Sequence, residues 1–246
     1  MISEGHLDRF ATMKRGENIP IGRHILSHPK WLFCLILCFS LLLQGGKLEL
    51  STKAEENPME GREEKVKAFR AKKDQFFKED SQSPLKEADR KKFKGLLYYP
   101  VNLKYTMVGS IERFPTEPKP LYINLPTSKG REKKYVKYGR FRFKWEGKEY
   151  VLHIYRPLGG GELFLPFKDK TSGKETHSEG RYLYVETMLG GSESTRTEKV
   201  LIDFNRAHNP FCEYNEKYTC PFAPKENWLE IAIQAGEKRY KKGGLN

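Results

Sequence analysis

Apolar positions recur along this chain at two different periods, and the change falls near residue 95. Before it, Val66, Phe69, Phe76 and Phe77 fall on one side of a Lys- and Glu-rich stretch, which predicts an amphipathic helix over 60–78. Ser83-Pro84 predicts a second helix, with Ser83 as N-cap and Pro84 at the first helical position. Leu85, Ala88 and Phe93 form its expected inner face, and Gly95 its end. From Leu96 onward the period is two. Strands are expected at 105–114, 121–125, 163–167, 181–186 and 199–204, with a short last one at 231–234. The clearest pair is 138–145 with 150–156. Phe141, Phe143 and Trp145 alternate there with Arg140, Arg142 and Lys144, and Glu146-Gly147-Lys148 supplies the turn. A long loop is expected over 190–197. The fold class that follows is mainly β (α+β): an antiparallel barrel-like or sandwich domain with one or two N-terminal helices packed beside it.

Ahead of this domain lies a different pattern. Residues 31–43 contain only one polar residue, Ser40, and Lys14, Arg15, Arg23 and Lys30 precede them. The run has the length of a signal-peptide core and falls short of the ~20 residues that span a bilayer comfortably. Residues 1–46 therefore read as a signal or membrane-anchor segment, 47–58 as a polar linker, and 59–246 as one globular domain. In that domain the helices fall in 60–94 and the β-rich part in 96–240. The cationic lead predicts that the rest of the chain is exported, or anchored with its domain on the far side of the inner membrane.

Composition changes this picture little. Aromatic residues make up 13%, which suits strands and a packed core. The formal net charge is +13, but acidic residues interleave with the basic ones, as in Lys86-Glu87-Ala88-Asp89-Arg90. No finger or aromatic ribonucleoprotein motif accompanies the charge, so no nucleic-acid partner is expected. Neither a Gly-x-Ser-x-Gly elbow nor a His-Glu-x-x-His pair is present.

The densest stretch is Val200-Leu201-Ile202-Asp203-Phe204-Asn205-Arg206-Ala207-His208-Asn209-Pro210-Phe211-Cys212. It continues through Tyr214, Tyr218, Cys220, Pro221, Pro224, Glu226-Asn227 and Ile231 to Glu237. Upstream stand Asp169 to Thr176 and Gly180-Arg181-Tyr182-Leu183. Together these closely resemble the signature of the bacterial family known as domain of unknown function 1684, over about residues 62–240. His177 and His208 stand where that pattern has Tyr, and Phe211 where it has Pro. The resemblance implies no activity and no cofactor.

Several chemistries are open to these residues. Cys212 and Cys220 would form a disulfide in an oxidising compartment, worth about 2–3 kcal/mol, or remain two buried thiols. With His208 they lack the Cys-x2–4-Cys start of a structural zinc site, so no metal is expected. A redox pair would lack Cys-x-x-Cys. Asp203, Asn205, Arg206, Glu226 and Asn227 come together if the loop folds back over the strand end. Arg206 would then be a fixed cation for a small anionic ligand at the barrel mouth, with Asp203 or Glu186 as a base. The same residues would equally serve as an internal network tying the loop down. Binding of such a ligand by an exported domain is the leading expectation. The alternatives are a hydrolase using Asp203 or Glu186 with His208, and a structural envelope protein that docks a partner through helix 60–78.

Overall fold

The period-two stretch becomes eight antiparallel strands in one nearly closed, barrel-like sheet. The computed structural model describes residues 57–188 and 197–240; the apolar run at 31–43, most of the linker and nearly all of the 190–197 loop lie outside them. Helix α1 (Arg62–Glu79) and a five-residue helix α2 (Glu87–Lys91) precede the strands. The strands are β1 (Thr106–Arg113), β2 (Tyr122–Pro126), β3 (Glu132–Trp145), β4 (Lys148–Pro157), β5 (Phe164–Phe167), β6 (Arg181–Tyr184), β7 (Glu186–Thr187) and β8 (Thr197–Asp203).

The β3–β4 hairpin turns at Glu146-Gly147, both with positive φ (47° and 79°), a two-residue turn whose twist matches that of the strands. β6 and β7 are one run of chain interrupted at Val185. Its first part pairs with β5 and its second with β8, through Glu186↔Leu201, which brings the ring close to closure. Ile111, Phe141, Phe143, Leu152, Ile154, Leu165, Phe167, Leu183, Val200 and Ile202 fill the interior as one cluster.

Two local expectations are corrected. Ser83 does not cap α2. Its hydroxyl donates to the Phe77 carbonyl at 2.6 Å, so it ties α2 to the end of α1, and Ala88 is exposed. Residues 231–234 do not form a strand. The Ile233 N–H donates to Asp169 Oδ2 at 2.7 Å and the Ile233 carbonyl accepts from Arg181 at 2.8 Å, so side chains take the groups a ladder would use.

The motif-rich segment after β8 does not cap the barrel. It wraps the sheet. His208 exchanges two main-chain hydrogen bonds with Tyr182 of β6, at 2.9 and 3.0 Å. Pro221 then bridges Thr127 beside β2, and Trp228 bridges Lys168 beyond β5. Leu125, Tyr135, Tyr155, Phe164 and Tyr182 are thereby buried with Cys220 in a second cluster.

Candidate functional site

The end of β8 is a closed polar network. Asp203 Oδ1 accepts from the Asn205 N–H at 3.0 Å, the Asn205 amide at 2.9 Å and the Thr106 hydroxyl at 3.0 Å. Asn205 also pairs both ways with the Asn102 backbone at 2.9 Å. From α1, Arg62 donates to Asp203 Oδ2 at 2.6 Å and, with both terminal nitrogens, to Glu186 at 3.0 Å. Arg206 pairs with Glu186 as well and lies over the Phe69 ring at 4.3 Å. Burial and the neighbouring Arg62 push Arg206 down to about 10. Two guanidiniums thus face two carboxylates, and the cation expected for an anionic ligand already has its partner.

Glu226 and Asn227 stand elsewhere. Asn227 accepts from the His153 N–H at 2.7 Å and donates to the His153 and Pro166 carbonyls, each at 2.8 Å, stapling β4 to β5. Glu226 accepts from the Tyr155 hydroxyl at 3.1 Å and pairs with Lys137 at 3.4 Å. Burial opposes its ionisation, but its own N–H, Lys137 and Tyr155 outweigh that and hold it below the usual carboxylate range. The loop crosses the sheet instead of folding back over the strand end, so the five expected residues divide into two groups. His208 joins neither. It is buried, stacks on Tyr184 and donates from Nδ1 to the Asn209 carbonyl at 3.2 Å. Burial and Lys73 push its imidazole well below the usual value, so it stays neutral.

The wrapping segment does bring one cluster of titratable side chains together. Cys212 and Cys220 are free thiols, and the Cys212 N–H donates to Cys220 Sγ at 3.1 Å. Ser128, in the β2–β3 turn, accepts from the Cys220 N–H at 3.1 Å. His177, on the β5–β6 loop, lies near enough to Cys212 for each to shift the other's titration. Gly180 sets that loop: its φ is +97°, and a Cβ there would meet the Phe167 carbonyl at 2.3 Å. His177 Nδ1 is 2.6 Å from Glu213 Oε2, and the other Glu213 oxygen accepts from the Tyr240 N–H at 3.0 Å.

The electrostatics follow from these contacts. The Cys220 thiol, with support from His177 and Ser128, holds Cys212 far below the ordinary thiol range against the cost of burial. The same contact pushes Cys220 up, so it stays the protonated donor. Burial alone would lower His177, but its hydrogen bonds to Cys212 and Glu213 overcome this and push it up to about 9. Both shifts run toward a thiolate at Cys212 and an imidazolium at His177, whose other neighbour is the Glu213 carboxylate. No group of three or more His, Cys, Asp or Glu able to hold a metal ion occurs among the described residues.

The family model for proteins of unknown function (DUF1684) matches residues 91–238, well over half of the chain. This chain belongs to the DUF1684 family. A solution NMR structure of an uncharacterized protein from Haloarcula marismortui is similar, with 33% identity over 73% of this chain and 95% of that one and a TM-score of 0.56. No curated protein matches. All of Ser128, His177, Cys212, Glu213 and Cys220 lie inside the DUF1684 match, whereas α1 with Arg62 precedes it. Reading the sequence missed His177, Glu213 and Ser128 as one site with Cys212. Two signals were present: a Glu directly after a Cys, and a His at the place where the DUF1684 pattern carries Tyr.

Proposed function

We propose that this DUF1684 domain is a thiol-dependent enzyme whose nucleophile is Cys212. His177 holds the proton beside it, and Glu213 orients His177. The observation that carries this reading is the His177–Glu213 pair at 2.6 Å, with Glu213 fixed in turn by the Tyr240 amide and standing next to Cys212, whose own N–H bonds the Cys220 sulfur at 3.1 Å. A nucleophile, a base and an orienting third group are the parts that covalent catalysis needs. Binding of a small anion at Arg206 draws less support, because Glu186 already faces that guanidinium. So does a hydrolase built on His208, which contacts neither Asp203 nor Glu186 and stays neutral. Docking of a partner through α1 draws little, since Phe77 is buried against Phe93 and Tyr214 and Phe69 lies under Arg206. The apolar run at 31–43 supports placing the domain on the exported side of a membrane.

The test is the pH profile of alkylation by iodoacetamide on the full-length chain, read at the Cys212 peptide by mass spectrometry. At pH 6 an ordinary thiol with a pKa near ~8.5 is only ~0.3% ionised. Cys212 is expected to react there at most of its plateau rate, and His177→Gln to move the profile upward by roughly one unit or more. A profile centred near that of a free thiol, indifferent to His177→Gln, would remove Cys212 as the nucleophile.

A further inference from the structure

The reading of Cys212 as a nucleophile leaves its substrate open, and the immediate surroundings of the sulfur narrow it. Acyl transfer needs free donors for the developing oxyanion. The amide of Cys212 is already bonded to Cys220 Sγ at 3.1 Å, which removes the donor nearest the nucleophile. Access is narrow as well: the His177 and Glu213 side chains are only 12% and 10% exposed, and Cys212 is itself half-buried beside Tyr218 and Phe211. A small electrophile fits such a site better than a bulky one. The second sulfur sits 3.1 Å from the Cys212 amide nitrogen, eight residues along the same loop. A thiolate that a small oxidant can reach, with a second thiol close by, is the arrangement that two-electron thiol oxidation uses.

We infer that the site reduces a small hydroperoxide, with Cys212 as the attacking thiolate and Cys220 as the thiol that resolves it; this rests on Cys212 being the nucleophile proposed above. In the first step the Cys212 sulfur bonds to one peroxide oxygen and the O–O bond breaks. The departing oxygen takes the proton from the His177 imidazolium and leaves as water or an alcohol. Cys212 is now a sulfenic acid, oxidised by two electrons, and His177 is neutral. In the second step Cys220 gives its proton to His177 and attacks the Cys212 sulfur. An S–S bond forms, the S–O bond breaks, and the hydroxide leaves as water with the proton from His177. The balance is two thiols and one hydroperoxide to one disulfide, one alcohol or water, and one water. Two equivalents of a small thiol return the pair to the reduced state by exchange.

The groups around the sulfurs are consistent with these roles. Glu213 stands on Cys212's own turn, His177 on the β5–β6 loop and Ser128 on the β2–β3 turn. The phenols of Tyr182 and Tyr135 face the pair from β6 and β3, both pushed up by burial and by the thiols, so they stay neutral. Lys133 faces Cys220 from the edge of β3. Once Cys212 is a neutral sulfenic acid, the charge that keeps Cys220 protonated is gone, and Cys220 becomes easier to ionise at the moment it must attack.

The experiment uses the full-length chain, reduced with dithiothreitol, desalted and treated with one equivalent of hydrogen peroxide at pH 7. Non-reducing peptide mapping is expected to show a Cys212–Cys220 link, formed roughly tenfold or more faster than in His177→Gln. Dithiothreitol should reverse it with the circular dichroism spectrum unchanged. In Cys220→Ser the sulfenic acid should persist and be trapped by dimedone. Should that variant fail to fold, the wild-type map decides alone. If the Cys212 alkylation profile is low but peroxide yields no link, or yields sulfinic acid at Cys212 while Cys220 stays free, the resolving role is overturned and the nucleophile stands. A link that dithiothreitol cannot reverse without unfolding the chain would mean a structural disulfide and also overturns the inference. An ordinary alkylation profile removes both readings together.

Discussion

Most of the polar residues that make this sequence conspicuous answer to buried main chain. Asn227 makes three hydrogen bonds to backbone groups of β4 and β5, where the two strands share only the Tyr155↔Phe164 pair. Arg181, wholly buried, donates to the carbonyls of Ile233, Ala235 and Glu237 and to Asp169. A buried carbonyl without a donor costs about 1–3 kcal/mol. Asn227→Ala strands several such groups at once and should lower the unfolding free energy by about 2–4 kcal/mol, measured by urea denaturation. It should leave the rate of Cys212 alkylation unchanged, because Asn227 touches none of the groups around that sulfur. Residue type alone separates the two groups poorly: an Asn that satisfies a strand and an Asn that holds a ligand read alike in one dimension.

Helix α1 docks through charge as much as through its apolar stripe. Val66 and Phe77 are fully buried as the spacing predicts, while Phe69 and Phe76 are half-buried. Between them Lys73 is buried and paired with Glu237, whose second oxygen accepts from the Asn209 N–H at 2.9 Å and from the Tyr214 hydroxyl. Burial pushes Lys73 down, and Glu237 opposes this. Removing one partner leaves an uncompensated charge in the interior, so Glu237→Gln should cost about 3–5 kcal/mol. Lys73→Met combined with Glu237→Gln should cost clearly less than the sum of the two single changes, and urea denaturation of the four proteins measures that coupling. Strictly additive costs would mean that the pair contributes nothing as a pair. At helical spacing Lys73 and Arg62 fall within the apolar stripe, four residues from Phe77 and Val66, but their partners Glu237, Asp203 and Glu186 lie more than a hundred residues away, which is why their pairing was not legible beforehand.

At the scale of the whole molecule, the thiol site couples stability to pH. His177 has a folded value of about 9, above the ~6.5 of an unfolded imidazole. The folded state therefore keeps a proton that the unfolded chain releases between those values. That stabilisation is complete below about pH 6.5 and is lost as pH rises through 9. Cys212 is shifted the other way: its contribution is present above the unfolded thiol value near ~8.5 and is lost as pH falls through its depressed folded value. Together they predict a plateau between about pH 6.5 and 8.5, with a loss on either side. The gap in unfolding free energy between the native chain and His177→Gln should shrink as pH rises from about 8 to 10. A gap that is flat across that range would show that His177 is not held protonated by the fold.

Local patterning already carried the fold class and most of the elements, the 231–234 strand and the Ser83 cap excepted. The alternation of Phe141, Phe143 and Trp145 with basic residues, the turn at Gly147 and the stripe through Val66 and Phe77 are local regularities, and a local regularity survives in one dimension. The family, too, was legible, since its motif residues are contiguous in the chain. Tertiary structure alone decided what the polar residues do. Whether the segment after β8 folds back over the strand end or wraps the sheet depends on long-range burial of Tyr155, Phe164 and Tyr182, which no short window contains. Wrapping took Glu226 and Asn227 away from Asp203. It brought Glu213, next to Cys212 on the wrapping loop, onto His177 from the β5–β6 loop, and Cys220 onto Ser128 from the β2–β3 turn. Proximity between segments that distant in sequence follows from how the sheet closes near Val185 and what must cover its outer face.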